Sequence, residues 1–433
     1  MSKAKVVILG GGMGGVYTAL RLRSCWPLGQ EWEITLISRG RHFEFKPLFP
    51  EVLAGRLDAD SVRVPLPDLL GESHVKTATV TSIDPVSRIV QTEKGHVDFD
   101  YLVISLGGMR ESVPTAGTVP LMSVESLDEC LALRSKVCRL LSKGTTTRTR
   151  TRRNIVIIGA GPTGIEVACE LRHLATRVGR EKNLPPFDIH LVEASANILS
   201  RWGEALREDT ENILKGSGIH LRIGSEVTRI EDGIVQIKGK RSIRADCVVW
   251  AGGLRGLELY RTLGAPLDEK DRLCVNPMLQ LLNHENIYAI GDGIDTSVFD
   301  PPVPQSAQAA YQQSALVAAN IRRSIGGLAL RRFRYRELGY VLPVGGRRAV
   351  ARMMGIPLNG RVAWALEKAL FLVRIPKLSP RLRLLEGLAV SPLVRRGAEY
   401  IEGRCSREPF QYLKKTLLDP ANHQGIDKPR TPR

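Results

Sequence analysis

Asp292 is the residue around which a chemical site is most readily built from this sequence. It follows the apolar run at residues 287–290 and a glycine, so its carboxylate is expected at the carboxyl end of a buried strand, where open α/β sheets bind ligands. Three prolines at residues 301–304 precede a helix predicted to begin near Gln305 or Ser306. That helix would present free N–H groups and a partial positive charge. An acid can bind sugar hydroxyls and a helix N-terminus can bind phosphate, so the two together suit a phosphorylated, polyhydroxylated cofactor. The alternative is that Gly-Asp forms a plain turn.

Two glycine-rich loops strengthen the cofactor interpretation. GGGMGG at residues 10–15 and GAGPTG at residues 159–164 each follow an apolar strand pattern and open a helical pattern. In such a unit the glycines allow a tight turn, close approach to a pyrophosphate and helix–strand packing, and the phosphates lie at the helix N-terminus. The glycines predicted to bind cofactor are Gly10, Gly12, Gly14, Gly15, Gly159, Gly161 and Gly164. Two loops in this setting predict two dinucleotide-binding units.

The strand after each loop should end in an acid that binds the ribose. The second unit has Glu193 there, and its negative charge would repel a 2′-phosphate, which predicts NAD(H) in preference to NADP(H). The first unit has Ser38 followed by Arg39. Because a serine hydroxyl cannot bind two sugar hydroxyls at once, the first unit is predicted to bind its dinucleotide with one contact weakened.

Composition sets limits on the class of protein. The chain has 433 residues, of which 43% are hydrophobic and 25% charged, as in a globular protein of two or three domains. Its seven cysteines show no CxxC or metal-ligand spacing, so we predict neither a disulfide scaffold nor a metal site. Cys130 and Cys138 lie two turns apart on a predicted helix at residues 123–142 and are expected to be plain thiols. The N-terminal strand leaves no room for a signal peptide, which predicts a reducing compartment.

The predicted fold class is α/β, with two Rossmann-like dinucleotide-binding domains, the second inserted in the first, and a C-terminal helical region. A basic, threonine-rich linker at residues 143–153 marks a boundary. The predicted divisions are residues 1–125 and 266–330 for the first domain, 152–265 for the second, and 331–433 for a basic amphipathic tail.

The motifs resemble those of the two-dinucleotide-binding-domain flavoproteins, and most closely the type II, non-proton-pumping NADH:quinone oxidoreductases. The matching pieces run in the family's order across residues 5–320: VVILGGGMGGVYTALRLR, KPL followed by EVLAGRLD, YLVISLGG, NIVIIGAGPTGIEVACEL, HLVEA, ADCVVWAGGLRG, NIYAIGD and PQSAQAAYQQ. The resemblance implies FAD on the first domain, NADH on the second, and a quinone on the opposite flavin face. It implies an enzyme that oxidises NADH and reduces a membrane quinone.

The same resemblance assigns individual residues. Asp292 would hold the FAD ribityl chain, Gln308 and Tyr311 would line the quinone entrance, and Glu166 would orient the nicotinamide or relay a proton. A surface glutamate at a helix start is the alternative interpretation of Glu166. Tyr311 stands where several members have histidine, and Ser38 stands where an acid is usual. The further cofactor contacts implied are Lys46, Val80, Ser105, Gly107, Gly252, Gly253, Gly291, Ala307 and Gln308.

Other flavoproteins of this fold need cysteines that the sequence does not supply in the required places. A disulfide reductase needs CxxxxC after the first glycine loop, where Cys25 stands alone. A sulfide:quinone oxidoreductase needs a cysteine pair at the flavin, one member from beyond Asp292, where only Cys405 occurs. Another FAD-dependent NAD(P)H oxidoreductase, or a non-catalytic NADH-sensing flavoprotein, are the remaining alternatives.

The C-terminal part of the chain predicts a membrane surface as partner. Residues 322–383 contain fifteen Lys or Arg against two acids, which gives +13 of the net charge of +17. Residues 361–377 form an amphipathic helix too short to span a bilayer, and residues 382–394 add a shorter apolar piece. The predicted apolar face is Val362, Ala365, Leu366, Ala369, Leu370, Leu372 and Val373, flanked by Arg361, Lys368 and Arg374.

Peripheral attachment to anionic lipids on the cytoplasmic face of the cell membrane is therefore predicted, and nucleic acid is not, since its grooves offer nothing to so many aliphatic side chains. A homodimer interface is the alternative use of the apolar face.

Overall fold

The computed structural model describes residues 3–24, 32–111, 113–117, 119–142, 153–182, 187–199 and 202–390. Cys25, Cys405, nearly all of the predicted linker at 143–153 and the predicted apolar piece past residue 390 lie outside the described residues.

The elements are numbered in chain order. The strands are β1 (Ala4–Leu9), β2 (Trp32–Ser38), β3 (His42–Glu44), β4 (Arg63–Pro65), β5 (Val75–Thr77), β6 (Val80–Asp84), β7 (Ile89–Thr92), β8 (Gly95–Asp98), β9 (Tyr101–Ile104), β10 (Met109–Arg110), β11 (Thr115–Ala116), β12 (Leu121–Met122), β13 (Asn154–Ile158), β14 (Asp188–Val192), β15 (Ile219–Arg222), β16 (Val227–Glu231), β17 (Ile234–Ile237), β18 (Lys240–Arg244), β19 (Cys247–Trp250), β20 (Leu254–Arg255), β21 (Ile287–Ala289), β22 (Gly339–Pro343), β23 (Ala349–Met353) and β24 (Ile356–Asn359). The helices are α1 (Met13–Ser24), α2 (Phe49–Leu53), α3 (Leu66–Leu70), α4 (Leu127–Ser142), α5 (Pro162–Lys182), α6 (Glu204–Gly216), α7 (Ala307–Ile325), α8 (Gly360–Arg374) and α9 (Leu378–Val390).

Two five-stranded parallel sheets form the cores of the two units. The first has the order β21-β9-β1-β2-β5 and the second β12-β19-β13-β14-β15. Their central strands β1 and β13 are apolar without alternation, as expected of strands covered on both faces, and Val6, Ile8 and Leu9 have no exposed surface. In each sheet the later strands of the chain are added on both sides of the central strand, β1 or β13. The carboxyl end of that strand is therefore a topological switch point, where ligands bind in such sheets. The predicted double Rossmann-like architecture is confirmed.

The second unit is inserted in the first, although the strand pairing divides the chain earlier than residue 125. β11 pairs with β16 and β12 pairs with β19, so residues 115–122 belong to the second unit. β10 and β20 pair antiparallel where the chain passes between the units, and β21 returns to the first sheet. Two-residue strands carry no periodicity, which is why the sequence did not locate this boundary.

The described part of the tail is not purely helical, so the predicted helical region needs correction. Residues 339–359 form the antiparallel sheet β22-β23-β24, and only then do α8 and α9 follow. Gly345 and Gly346 adopt positive φ values of 87° and 67° at the turn between β22 and β23. These strands are only four or five residues long, and two of them contain a proline, so they gave little of the alternation that indicates a sheet. Among the described residues, no helix is long and apolar enough to cross a membrane.

Candidate functional site

The two glycine loops have nearly the same geometry. A Cβ on Gly15 would lie 2.0 Å from the carbonyl oxygen of Gly10, and a Cβ on Gly164 would lie 1.9 Å from that of Gly159, so only glycine allows each helix to pack this closely on its loop. Gly12 and Gly161 face open space, since nothing lies within 4 Å of a Cβ built on either. Each loop therefore leaves backbone accessible beside a helix N-terminus, which fits a pyrophosphate.

The strand, turn and helix around Asp292 match the prediction. β21 ends at Ala289, and α7 begins at Ala307 with Ser306 as its N-cap, whose side chain accepts a hydrogen bond from the Ala309 amide at 3.2 Å. Gly291 donates its amide to a side chain of the same helix, the Gln313 Oε1, at 2.8 Å. The acid-bearing turn and α7 are thereby held together.

The turn that carries Asp292 lies next to the first glycine loop, and Lys46 is near enough to act on its carboxyl. A Cβ on Gly14 would lie 3.0 Å from the Ile290 side chain, which puts the start of α1 next to the end of β21. Burial raises the pKa of Asp292, the Lys46 ammonium opposes that rise, and Glu125, which pairs with Lys46 at 3.2 Å, adds to it. A half-buried carboxylate that has lost part of its hydration gains most from a ligand that donates hydrogen bonds, as sugar hydroxyls do.

The residues at the ends of β2 and β14 occupy corresponding positions. Glu193 accepts hydrogen bonds from the amides of Ala160 at 2.7 Å and Ser195 at 2.9 Å, so its carboxylate lies against the second glycine loop. In the first unit the Ser38 hydroxyl lies against Gly11, because a Cβ built there would be only 2.6 Å from its Oγ. Serine is thus the spatial counterpart of the acid.

The remaining predicted cofactor contacts lie around these two loops. Ala78 donates its amide to the Ser38 carbonyl at 3.0 Å, which brings the chain leading to Val80 beside β2. The Ser105 hydroxyl donates to the Leu9 carbonyl at 2.7 Å, directly before the first loop. The other members are the exposed Arg39, the half-buried Gly107, which accepts from the Tyr260 hydroxyl at 2.5 Å, and Gly252 and Gly253, which follow β19 beside the second loop.

The face of α7 that carries Gln308 and Tyr311 is covered by an extended segment and by α1. Gln308 and Gln312 donate their side-chain amides to the Arg336 carbonyl, at 3.4 and 2.8 Å. Tyr311 is half-buried and packs edge-on to Tyr17 of α1, with ring centroids 4.7 Å apart. The predicted quinone residues therefore line a surface shared by α1, α7 and the chain before β22.

Glu166 lies in the second turn of α5 and faces charged residues from two other parts of the chain. Burial raises its pKa well above the ordinary glutamate value, the negative charges of Glu367 and Glu51 raise it further, and the Lys368 ammonium opposes the rise. The sequence pointed to Glu166 and did not identify these neighbours.

The neighbours of Glu166 form what we call the buried charge cluster, which is Glu51, Arg56, Glu170, Glu367 and Lys368. The Lys368 ammonium donates to Glu51 and lies 2.8 Å from Glu367, and the Arg56 guanidinium donates to Glu170 at 2.6 Å. All four side chains other than Arg56 are at most 4% exposed. The cluster joins helix α2 and the residues just after it, helix α5 and helix α8.

The composition of the buried charge cluster favours protonation of some of its carboxyl groups. Three buried carboxyls, or four with Glu166, face two cations, so full ionisation would leave uncompensated negative charge in the interior. Burial raises the pKa of Glu170 and of Glu367, and their cationic neighbours do not cancel that rise. A sequence signal existed, because Glu367 and Lys368 interrupt an otherwise apolar helix. The prediction that Lys368 flanks an exposed apolar face is wrong, since its side chain is only 3% exposed.

Replacing Lys368 with methionine should destabilise the protein by about 3–5 kcal/mol, because it leaves buried Glu51 and Glu367 without their closest cation, and Arg56 lies 3.7 Å from Glu51. Urea unfolding monitored by circular dichroism measures this. Lys377→Met is the matched control, since Lys377 pairs with Asp68 at the surface at 3.1 Å and should cost about 1 kcal/mol or less. Equal losses in the two variants would contradict a buried ion pair at Lys368.

The pH dependence of stability follows from the same group. Because the folded-state pKa values of Glu170 and Glu367 are raised, the unfolded chain ionises first as pH rises above the ordinary glutamate range. Their contribution to folding stability is therefore greatest at low pH and falls as pH increases through that window.

Comparisons with known proteins place the chain among flavin- and nucleotide-dependent oxidoreductases. Residues 4–314 match the family described as pyridine nucleotide-disulphide oxidoreductase. The chain is 31% identical over 388 residues to the demethylphylloquinone reductase NdbB of Synechocystis sp., covering 87% of this chain and 93% of the relative. It is 28% identical over 385 residues to the type II NADH:quinone oxidoreductase of Staphylococcus aureus, covering 85% and 94%.

A solved structure shares the fold. The NDH2 of Plasmodium falciparum in complex with NADH superposes with a TM-score of 0.80 at 17% identity, over 91% of this chain and 99% of that one. The resemblance inferred from the motifs is confirmed. The chain belongs to the pyridine nucleotide-disulphide oxidoreductase family and, within it, groups with the type II NADH:quinone oxidoreductases.

Proposed function

We propose that this enzyme oxidises NADH through bound FAD and passes two electrons to a membrane quinone without pumping protons. The observation that carries the proposal is the repeated glycine loop, which leaves Gly12 open in the first unit and Gly161 open in the second. Of the two loops, only the one in the first unit is bordered by the turn at Asp292 and by α7. Two nucleotide sites, one of them extended by an acid and a helix N-terminus, suit NADH and FAD respectively.

FAD, when bound, supplies the redox chemistry, and the chain supplies position and polarity. The Gly10–Gly15 loop would take the pyrophosphate, Ser38 and Arg39 the adenosine ribose side, and Asp292 with Lys46 the polar chain that leads to the ring. The start of α7, at Ala307 and Gln308, would lie beside the flavin ring, and Gly159, Gly161, Gly164 and Glu193 would bind NADH.

Glu166 and the buried charge cluster have a role in proton supply. Reduction of a quinone to its quinol consumes two electrons and two protons, and buried carboxyls with raised pKa values retain protons near neutral pH. Of these carboxyls, Glu166 is the one next to the second glycine loop, and it would orient the nicotinamide or relay a proton.

The outward face of α8 supports peripheral attachment to a membrane. Its inner face carries Glu367 and Lys368 together with Ala363 and Phe371, whereas Val362 and Val373 are 67% and 75% exposed. Leu366, Leu370 and Leu372 of the predicted apolar face are half-buried, so the exposed stripe is narrower than predicted. Ala365 and Ala369 lie on the same exposed side. An apolar stripe facing outward in a basic region fits the interface of an anionic bilayer, on the cytoplasmic face of the cell membrane. A second copy of the chain on this face is the alternative.

Stopped-flow absorbance separates the two halves of the proposed reaction. Purified protein should be yellow, lose its flavin absorbance on mixing with NADH, and regain it on mixing with a quinone series. Flavin that NADH does not reduce would contradict the donor, and reduced flavin that no quinone reoxidises would favour the NADH-sensing alternative.

Three buried cysteines of the described chain do not support a function that depends on reactive thiolates. Burial raises the pKa of Cys130 and of Cys247 to about 12, and raises that of Cys169 further, so these sulfurs remain thiols at neutral pH. A sulfide:quinone oxidoreductase needs thiolates that react with sulfide, which these three residues do not provide.

We expect NADH to be strongly preferred over NADPH, and Glu193→Ser to reduce that preference about tenfold or more by removing a repelling charge. The first unit already has serine at the corresponding place, so the exchange should leave the fold intact. The ratio of kcat/KM for the two nucleotides measures the effect, with Glu231→Ser, an exposed acid paired with Arg229 at 3.1 Å, as the control. Equal use of both nucleotides by the unmodified protein would refute this role for Glu193.

A further inference from the structure

Arg21, which the sequence did not single out, makes three contacts with the neighbourhood of Tyr311. It lies in the last turn of α1, the helix that begins at the first glycine loop. Its guanidinium carbon is 4.2 Å from the centroid of the Tyr311 ring, and its NH1 donates to the Tyr311 carbonyl at 3.0 Å and to the Ser314 hydroxyl. One side chain thus contacts both the backbone and the ring of Tyr311.

Two further groups restrict the same ring. The guanidinium of Arg374, the last residue of α8, lies 5.6 Å from the Tyr311 centroid, and Tyr17 packs against the ring edge-on. The Tyr17 hydroxyl donates to the Arg374 carbonyl. Burial, and then the nearby Tyr311, raises the pKa of Tyr17 to about 12, so this hydroxyl remains a donor at neutral pH. Helices α1, α7 and α8 therefore meet at Tyr311.

A tyrosine ring held in this way has few orientations open to it. Cation–π attraction fixes the plane of the ring, and the hydrogen bond to the Tyr311 carbonyl fixes Arg21 itself. A lysine could supply the charge but not a planar guanidinium that lies over the ring and also donates to the Tyr311 carbonyl and the Ser314 hydroxyl. Preorganisation of this kind lowers the cost of binding a flat ligand, because the wall does not have to be ordered when the ligand arrives.

We propose that Arg21 is a positioning residue that holds Tyr311 across the quinone entrance and so sets the affinity of the site for the quinone ring. The proposal rests on the function proposed above, in which Tyr311 lines that entrance. It assigns no part to Arg21 in the reaction of NADH, since none of its contacts given above reaches the second unit.

The test compares Arg21→Met, Arg21→Lys and Tyr311→Phe in the flavin-containing full-length enzyme. Arg21→Met should raise the quinone KM about tenfold with kcat at saturating quinone nearly unchanged, and the rate of flavin reduction by NADH should not change. Arg21→Lys should resemble Arg21→Met, whereas Tyr311→Phe, which keeps the ring, should have a much smaller effect. Binding of a non-reducible quinone analogue, measured by calorimetry, should weaken by the same factor.

Arg23→Met is the matched control, because Arg23 lies on the same helix but donates to the Leu69 carbonyl at 3.2 Å. Arg374→Met removes the second cation without touching the hydrogen bond and should give a smaller rise in quinone KM. Flavin content and melting temperature identify any variant that fails to fold.

A wild-type enzyme that reduces quinones, together with an unchanged quinone KM in Arg21→Met or an equal rise in Arg23→Met, overturns the positioning role alone. Wild-type quinone KM in Arg21→Lys would show that a point charge is sufficient without the guanidinium, and would likewise overturn the positioning role. A wild-type enzyme that is reoxidised by no quinone overturns the proposed function and this inference together.

Discussion

Asp292→Ala should weaken flavin binding by a factor of about 10 to 100, because it removes charged hydrogen bonds worth about 1.5–3 kcal/mol. The same change should leave the flavin-free protein as stable as before or slightly more stable. The reason is that burial raises the pKa of Asp292, so the empty site carries the cost of a desolvated carboxyl that the flavin hydroxyls would offset. Titration of apoprotein with FAD, followed by flavin fluorescence, measures the affinity, and thermal melting of the apoprotein measures the stability.

Asp295→Ala is the control for this experiment. Asp295 belongs to the same loop, but its carboxylate accepts from the Ser297 amide at 3.0 Å and lies 3.7 Å from Arg272. Its loss should lower the melting temperature and leave the affinity for FAD unchanged. If Asp292→Ala kept its flavin and only lost stability, Asp292 would be a structural turn residue, as the plainest interpretation of its sequence held.

The glycine loops could be predicted from sequence because their chemistry is local. A positive φ at Gly10 or a close helix approach at Gly15 is imposed by a few consecutive residues, and the strand before and helix after complete the pattern. The turn at Asp292 and the N-cap at Ser306 were likewise set by neighbouring residues and by the prolines between them.

The buried charge cluster could not be predicted in this way, since its members come from residues 51–56, 166–170 and 367–368. Only the fold brings them together, and each glutamate on its own is typical of an exposed helix. The contact of Arg21 with Tyr311 is equally non-local, because it joins positions 290 residues apart. The sequence shows the residue types at these positions but does not indicate which residues they contact.

The cluster also changes how membrane attachment should be tested. Deleting the chain from about Gly360 onward would remove Lys368 along with α8, so Glu51 would lose its buried partner. A truncated protein could then leave the membrane simply because it had unfolded. Substitutions on the exposed side of α8 avoid this, because Val362 and Val373 point away from the cluster.

The double variant Val362→Asp/Val373→Asp should therefore release the protein from anionic vesicles while its flavin is still reduced by NADH. Each exchange removes an apolar side chain worth about 1.5 kcal/mol or more in the interface, and each new carboxylate adds repulsion of about 1 kcal/mol from anionic lipids. Partition into vesicles should fall by about 100-fold or more. Flotation with phosphatidylglycerol vesicles measures it, and Val86→Asp, at a turn where Val86 is 87% exposed, is the control.

The same pair of exchanges separates the membrane from the dimer. If the exposed face of α8 binds a second copy of this chain, gel filtration should show the unmodified protein as a dimer and the double variant as a monomer, with flotation unaffected. If the face binds lipid, flotation should be lost whatever the oligomeric state. The exposed valines of α8 and the basic residues around them favour lipid, because Val362 and Val373 lose least when the surroundings are apolar. Full-length protein that stays in the supernatant with anionic vesicles would show that the membrane assignment is wrong.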